Sequence, residues 1–152
     1  MTKAGLLLRY CGAFVAALIL TTVLGSLVQT QINLADLQRL GVEISAGVRL
    51  DTSLADLLGF TPNLGGILFA GFVPAFLVAG LLSRYWPARR RFWFALAGAT
   101  AFLTAMAAMQ LLFQITAVAA VRHPSGLLAL SACAALGAYL FARLTERPIG
   151  TT

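Results

Sequence analysis

The chain has 152 residues, 60% of them hydrophobic and only 11% charged, and a mean hydropathy of +0.89. A soluble domain carries roughly a quarter charged residues, so water alone cannot solvate a fold this apolar. The net charge of +6 does not point to nucleic acid, because the basic residues stand at the ends of apolar runs, where they act as topology signals.

The expected class is an all-α integral membrane protein. One four-transmembrane-helix bundle spans residues 1–152, with no polar linker long enough to divide it. Spanning helices need about 20 apolar residues, and four stretches qualify or nearly qualify: about 7–29, 62–83, 92–116 and 125–142.

Lys3 and Arg9 precede the first stretch in the manner of a signal peptide. The run from Tyr10 to Val28 is long, however, and no small-x-small site precedes Gln29, so it reads as an uncleaved first span.

Residues 30–61 form the only sizeable loop, expected as a short, partly structured cap on the extracytoplasmic face. Asn33-Leu34-Ala35-Asp36-Leu37 is echoed by Ser53-Leu54-Ala55-Asp56-Leu57. Each segment starts on an N-cap type, carries an acid in its first turn and ends before a glycine, Gly41 or Gly59, which predicts two short helices. Ser53 with Asp56 resembles a capping box. Between them, Val42, Ile44, Ala46, Val48 and Leu50 alternate with Glu43, Ser45, Gly47, Arg49 and Asp51, the period of an extended segment. Thr61 and Pro62 are expected as N-cap and N1 of the second span.

Pro74 falls in the middle of that span. It lacks an N–H and crowds the carbonyl of Ala70, so a kink is expected, of a kind that membrane helices tolerate. In the third stretch, thirty uncharged residues separate Arg91 from Arg122. At 1.5 Å each they reach about 45 Å against a hydrocarbon core of about 30 Å, so the helix tilts, projects, or stops near Thr116.

With the N-terminus inside, Lys3, Arg9, Arg84, Arg89, Arg90, Arg91, Arg143 and Arg147 are cytoplasmic, and only Arg39, Arg49 and Arg122 are outside. That asymmetry has the sign of the positive-inside rule, with both termini in the cytoplasm and a bacterial inner membrane as the expected location. All the Tyr and Trp residues (Tyr10, Tyr85, Trp86, Trp93 and Tyr139) fall at the same inner interface, where amphipathic rings are favoured.

Helix association in lipid depends on close approach. Small residues recur at four-residue spacing: Ala13, Ala17, Thr21 and Gly25; Gly71, Ala75 and Ala79; Ala97, Ala101 and Ala105; Ala129, Cys133 and Gly137, or Ala134, Ala138 and Ala142. These stripes suit the internal bundle first and a homo-oligomer second. Cys11 and Cys133 lie at different depths without metal-like spacing, so both are expected as unpaired thiols.

No Asp, Glu, Lys or His lies in the core of a span, which argues against a proton-driven pump. HExxH, GxSxG and P-loop motifs are missing, so the reading leans away from an enzyme, and no metal or cofactor is expected. His123, between Arg122 and Pro124, reads most simply as a turn residue.

The candidate binding site is uncharged. Gln110 and Gln114 share one face of the third span near its outer end. Gln29 and Gln31 end the first span at that level, with Asn63 and His123 close by. On the inner side, Arg84, Arg89, Arg90 and Arg91, with Trp86 and Trp93, form a topology and lipid-headgroup anchor.

Two functions fit. One is a binding protein, an accessory or assembly subunit of a membrane complex with the cap as docking surface. The other is a small transporter or lipid- or small-molecule-binding protein that uses the outer amides, possibly as a homo-oligomer. The expected partners are the lipid bilayer and a membrane protein.

Overall fold

The computed structural model of the protein describes residues 2–113 and 119–146. It contains five α-helices, two short 3-10 turns and, among the described residues, no strand. Four of the helices are long and apolar enough to cross a membrane.

Helix α1 (Lys3–Arg39) has 37 residues, which at 1.5 Å per residue is about 55 Å. Thr2 caps it, its hydroxyl accepting from the Gly5 amide. It runs through the polar stretch Gln29–Asn33, where the first apolar run ends, because nothing between Ser26 and Leu40 is a glycine or proline. The separate helix expected near residues 33–40 is therefore the last part of α1.

The stop itself is where expected. Gly41 adopts φ 87°, its N–H bonds to the Gln38 carbonyl, and the Val42 N–H bonds to the Leu37 carbonyl. This paired closure needs a residue that tolerates the left-handed region.

Helix α2 (Ala46–Gly59) begins earlier than its sequence signals suggest. Ser45 is the N-cap, accepting from the Val48 amide. Ser53 lies mid-helix and donates to the Arg49 carbonyl at 2.8 Å. The alternating residues of 42–51 are thus extended only before Ala46. Their period of two hides a helical one, with Arg49, Ser53 and Asp56 on one face and Leu50, Leu54 and Leu58 on another. The helical pattern prevails because the polar face has α1 to bond to.

Helix α3 (Thr61–Tyr85) has Phe60, not Thr61, at its N-cap, and the Leu64 amide bonds back to the Phe60 carbonyl. Pro62 sits in the first turn, where the missing N–H costs nothing. The helix passes Pro74 without interruption, with the proline ring exposed.

A 3-10 turn (Pro87–Arg89) leads into α4 (Arg90–Phe113), and a second (Ala119–Arg122) into α5 (Pro124–Leu144). The proposed end of the third span near Thr116 lies outside the described residues.

The four long helices form a ring in which α5 packs on α1 and α4, α4 packs on α3, and α3 meets α1 most loosely. Small residues close the tight seams. A Cβ at Gly137 would stand 2.7 Å from the Ala17 carbonyl and collide with Thr21, and one at Gly98 would come within 2.6 Å of the Ala138 Cβ. The stripes on α1 and α5 therefore pack within the bundle, whereas those on α3 and α4 border a groove between these helices.

Toward one end the core is phenylalanine. Phe76 stacks on Phe72 at 4.8 Å, and Phe141 lies 4.7 Å from Phe76 and 5.2 Å from Phe94. The outside is apolar too, with Leu8, Leu77, Leu111 and Leu128 each at least 67% exposed. In water such a surface would aggregate. Together with the four long apolar helices it suggests a multi-pass membrane protein. Cys11 is exposed and Cys133 buried, and the two are unpaired.

Candidate functional site

Polar groups collect at the two ends of the bundle. At one end α1 outlasts its apolar run, and α2 folds back along it as an antiparallel hairpin. Thr30 donates to Asp56 Oδ2 at 2.6 Å. Arg49 forks across two amides, donating to Gln31 Oε1 at 2.7 Å and to Gln38 Oε1 at 3.0 Å. Gln31 in turn donates to the Ser53 hydroxyl at 3.2 Å. The planar guanidinium suits this task, since its donors are held in a fixed fork.

Asp36 ties the hairpin to the start of α5, with one oxygen 3.3 Å from His123 Nε2 and the other 3.3 Å from Arg39. Both contacts are well exposed and contribute little energy.

Beneath the hairpin three buried oxygens have no hydrogen-bond partner: Ser26 Oγ, Gln29 Oε1 and Thr61 Oγ1. A Cβ at Gly25 would lie 3.1 Å from Leu64, and one at Gly65 would lie 3.4 Å from Thr22. These approaches place the next turns, carrying Ser26 and Gln29 on α1 and Thr61 on α3, opposite each other. An orphaned buried polar atom costs about 1–3 kcal/mol. Such groups are uncommon in folded proteins, and three of them lie in this part of α1 and α3.

The expected amide cluster is therefore only partly assembled. Gln31 is bonded to Arg49 and Ser53 of the hairpin, and Gln29 is buried nearby on α1 with its carbonyl oxygen unpaired. Asn63 is exposed, its amide 3.5 Å from the Gly59 carbonyl, and His123 turns to Asp36. Gln110 is on the exposed side of α4, across the ring from α1, and Gln114 lies outside the described residues. Sequence reasoning missed Ser26, Thr30, Arg49, Ser53, Asp56 and Thr61. The spacing of Thr22, Ser26 and Thr30, four apart within an apolar run, is the signal that could have revealed the first two.

The opposite end is cationic. A helix leaves its last four carbonyls unpaired and carries negative charge at its C-terminus. Arg9 and Arg90 answer both needs on α5, with Arg91 paired just beyond it. Arg9 Nε donates to the Leu144 carbonyl at 2.9 Å. Arg90 donates to the Ala142 carbonyl and, at 2.6 Å, to the Thr145 hydroxyl. Arg91 grips Glu146 with two bonds of 2.7 and 2.6 Å, and those bonds hold the Glu146 carboxyl below its ordinary range.

The arginine cluster read from the sequence is thus divided. Arg90, half-buried, and Arg91, itself exposed, are bonded to the chain's own C-terminal residues. Arg84 and Arg89 are exposed without such a bond among the described residues. Trp86 and Trp93 pack together 5.6 Å apart, and the five Tyr and Trp residues all lie in the half of the bundle that carries these arginines.

Where α1 and α3 diverge, a lateral groove of about 1190 Å³ opens. Phe14, Phe69, Phe76 and Phe141 line it, and Tyr10 and Arg84 stand at its cationic end. A second groove of about 720 Å³ runs between α3 and α4 over Gly71, Pro74, Ala97 and Ala101, and no charged residue lines it. No protein-family model, no curated protein and no solved structure matches this chain.

Proposed function

We propose that this is a multi-pass protein of a bacterial inner membrane, both ends cytoplasmic, that acts by binding: an accessory or assembly subunit docking a membrane partner on its α1–α2 hairpin. The hairpin carries the reading. It is cross-braced by Arg49, Gln31, Gln38, Thr30 and Asp56, which is more order than a connecting loop needs.

From Arg9, a hydrocarbon core of about 30 Å takes 20 residues of helix, ending at Gln29. The remaining turns of α1, and α2 beside them, then stand in the headgroups and beyond. Leu54 and Leu50, 52% and 62% exposed, are lifted about one and two further turns away from the lipid than Leu58. Lipid cannot cover all three, so an apolar partner surface suits them better. In residues 30–61 the acids Asp36, Glu43, Asp51 and Asp56 outnumber Arg39 and Arg49, so the partner's rim should be basic. The positive-inside count and the one-sided aromatic belt support this orientation.

The test is site-specific photocrosslinking from position 54 in native membranes, with position 128 on the lipid-facing side of α5 as control. One discrete protein adduct from position 54, lost when Leu50→Lys is added, is expected. Equal adducts from both positions, or none, would overturn the docking reading. Reporters fused after residues 45 and 88 should lie on opposite sides of the membrane, and the same side for both would sink the topology.

A second reading, a carrier or binder of a small polar solute, is favoured by the three orphaned oxygens under the hairpin. It requires that Gln29→Met abolish function while the partner adduct persists.

A further inference from the structure

The α1–α3 groove differs from its neighbour in one respect that bears on ligand chemistry. Both are apolar and open laterally, but only the first ends on exposed cationic charge. Arg9, Arg90 and Arg91 are already engaged with the α5 terminus, whereas Arg84 is exposed and bonds to nothing among the described residues. The Tyr10 ring stands at the same end. No acid lines the groove.

The floor is preformed. Phe14 meets Phe69 at 5.6 Å and Phe76 at 5.7 Å, both edge to face, so the rings hold each other and little ordering cost remains for an occupant. Length adds a further constraint. From Phe69 to Arg84 is 15 helical residues, about 22 Å, which matches one leaflet of a bilayer about 40–45 Å thick with its headgroups. A single acyl chain laid on the phenylalanines therefore brings its phosphate to the guanidinium of Arg84.

We propose that this groove is a binding site for one anionic phospholipid of the cytoplasmic leaflet, its chain on the Phe14–Phe69–Phe76 floor and its phosphate at Arg84. The inference rests on the membrane topology above and is independent of partner docking.

Gly80 supplies the means to test it. Gly80 lines the groove, and a Cβ there meets nothing within 4 Å, so Gly80→Phe fills the groove without disturbing a helix seam. Val78→Phe places the same bulk in the α3–α4 groove.

The experiment is native mass spectrometry of the full chain released from detergent, titrated with phosphatidylglycerol and with phosphatidylcholine of identical chains. Recovery of the protein in carbonate-washed membranes is scored first. A chain that washes off overturns the membrane reading beneath the proposal, whereas failure of the lipid measurements alone leaves that reading standing.

The wild type should retain one phosphatidylglycerol in preference to phosphatidylcholine. Arg84→Gln should cut that preference about fivefold, the equivalent of the ~1 kcal/mol that one basic residue contributes at an anionic surface. Gly80→Phe should remove the retained lipid, and Val78→Phe should keep it. Equal retention of the two lipids by the wild type, an unchanged preference in Arg84→Gln, or a lipid still held by Gly80→Phe would each overturn the proposal.

Discussion

The two ends of the bundle meet the same physical problem with different chemistry. At the arginine end a single helix terminus must be satisfied. Two guanidiniums, of Arg9 and Arg90, converge on the last carbonyls of α5 while Arg91 grips the Glu146 carboxylate just beyond. At the hairpin end two helices must be held side by side with little apolar burial beyond Leu34, and amides, hydroxyls, one carboxylate and one arginine bridge them. The first arrangement fastens the bundle. The second fixes a projecting element and leaves buried oxygens unpaired beneath it. At the arginine end one buried donor, Trp93 Nε1, lacks a partner, against three oxygens beneath the hairpin.

The largest expected effect is at the arginine end. Arg90→Ala removes the bonds to the Ala142 carbonyl and the Thr145 hydroxyl, but the hydroxyl keeps its 2.7 Å bond to the Phe141 carbonyl. The net loss is therefore near that of one hydrogen bond to a charged group, about 1.5–3 kcal/mol. A loss of about 2 kcal/mol, several degrees in a thermal unfolding scan in detergent, is expected. Arg84→Ala, from the same cluster, should change stability by no more than about 0.5 kcal/mol. Equal effects would erase the division of the cluster into fasteners and free cations.

At the hairpin end, Arg49→Ala removes both rungs to Gln31 and Gln38. Its effect should be local and near 1 kcal/mol. Hydrogen exchange should quicken at the amides of α2 and stay unchanged in α5. Faster exchange throughout would mean that the hairpin is part of the bundle's cooperative unit, not an element resting on it.

The four long helices were legible because hydropathy over twenty residues is a strong signal, and the closure at Gly41 was legible because few residues accept its geometry. The hairpin was not. The amides Gln29 and Gln31 mark where the apolar run ends, which is easily mistaken for the end of a helix, although no glycine or proline follows before Gly41. Ser53 and Ser45 look alike as caps, and only the contacts of α2 with α1 decide between them. Arg49 lies 18 residues from Gln31, and no local pattern relates the two. Likewise Arg84, Arg89, Arg90 and Arg91 form one cluster in sequence, but their roles depend on an α5 terminus 55 residues beyond Arg91. Gln110 shared a depth with Gln29, but depth does not tell which helices are neighbours in the ring.

A smaller effect separates the two readings of the hairpin end. Gln29→Met keeps the volume and removes the orphaned carbonyl oxygen, so the buried desolvation cost disappears. If the hairpin works by docking, the variant should still give the adduct from position 54 and unfold at a temperature equal to or slightly above that of the wild type, by up to about 1 kcal/mol. A clear destabilisation would mean that a polar occupant bonds to that oxygen and would move the functional reading to the solute site.

The smallest effect is a pH dependence at the arginine end. Arg91 holds the Glu146 carboxyl below its ordinary value, so the folded protein favours the ionised form more than the unfolded chain does. The resulting stability is complete above the ordinary carboxylate range and is lost as pH falls through the lowered folded value. Glu146 is mostly solvated, and the increment is small. The melting temperature of the wild type should exceed that of Glu146→Gln at neutral pH, and the gap should close as the solution is acidified below the ordinary range. A gap that persists in acid would show that the side chain acts through packing or neutral hydrogen bonds. The two fasteners would then differ, because Arg90 bonds to backbone and hydroxyl oxygens that do not titrate and should show no comparable acid-sensitive gap.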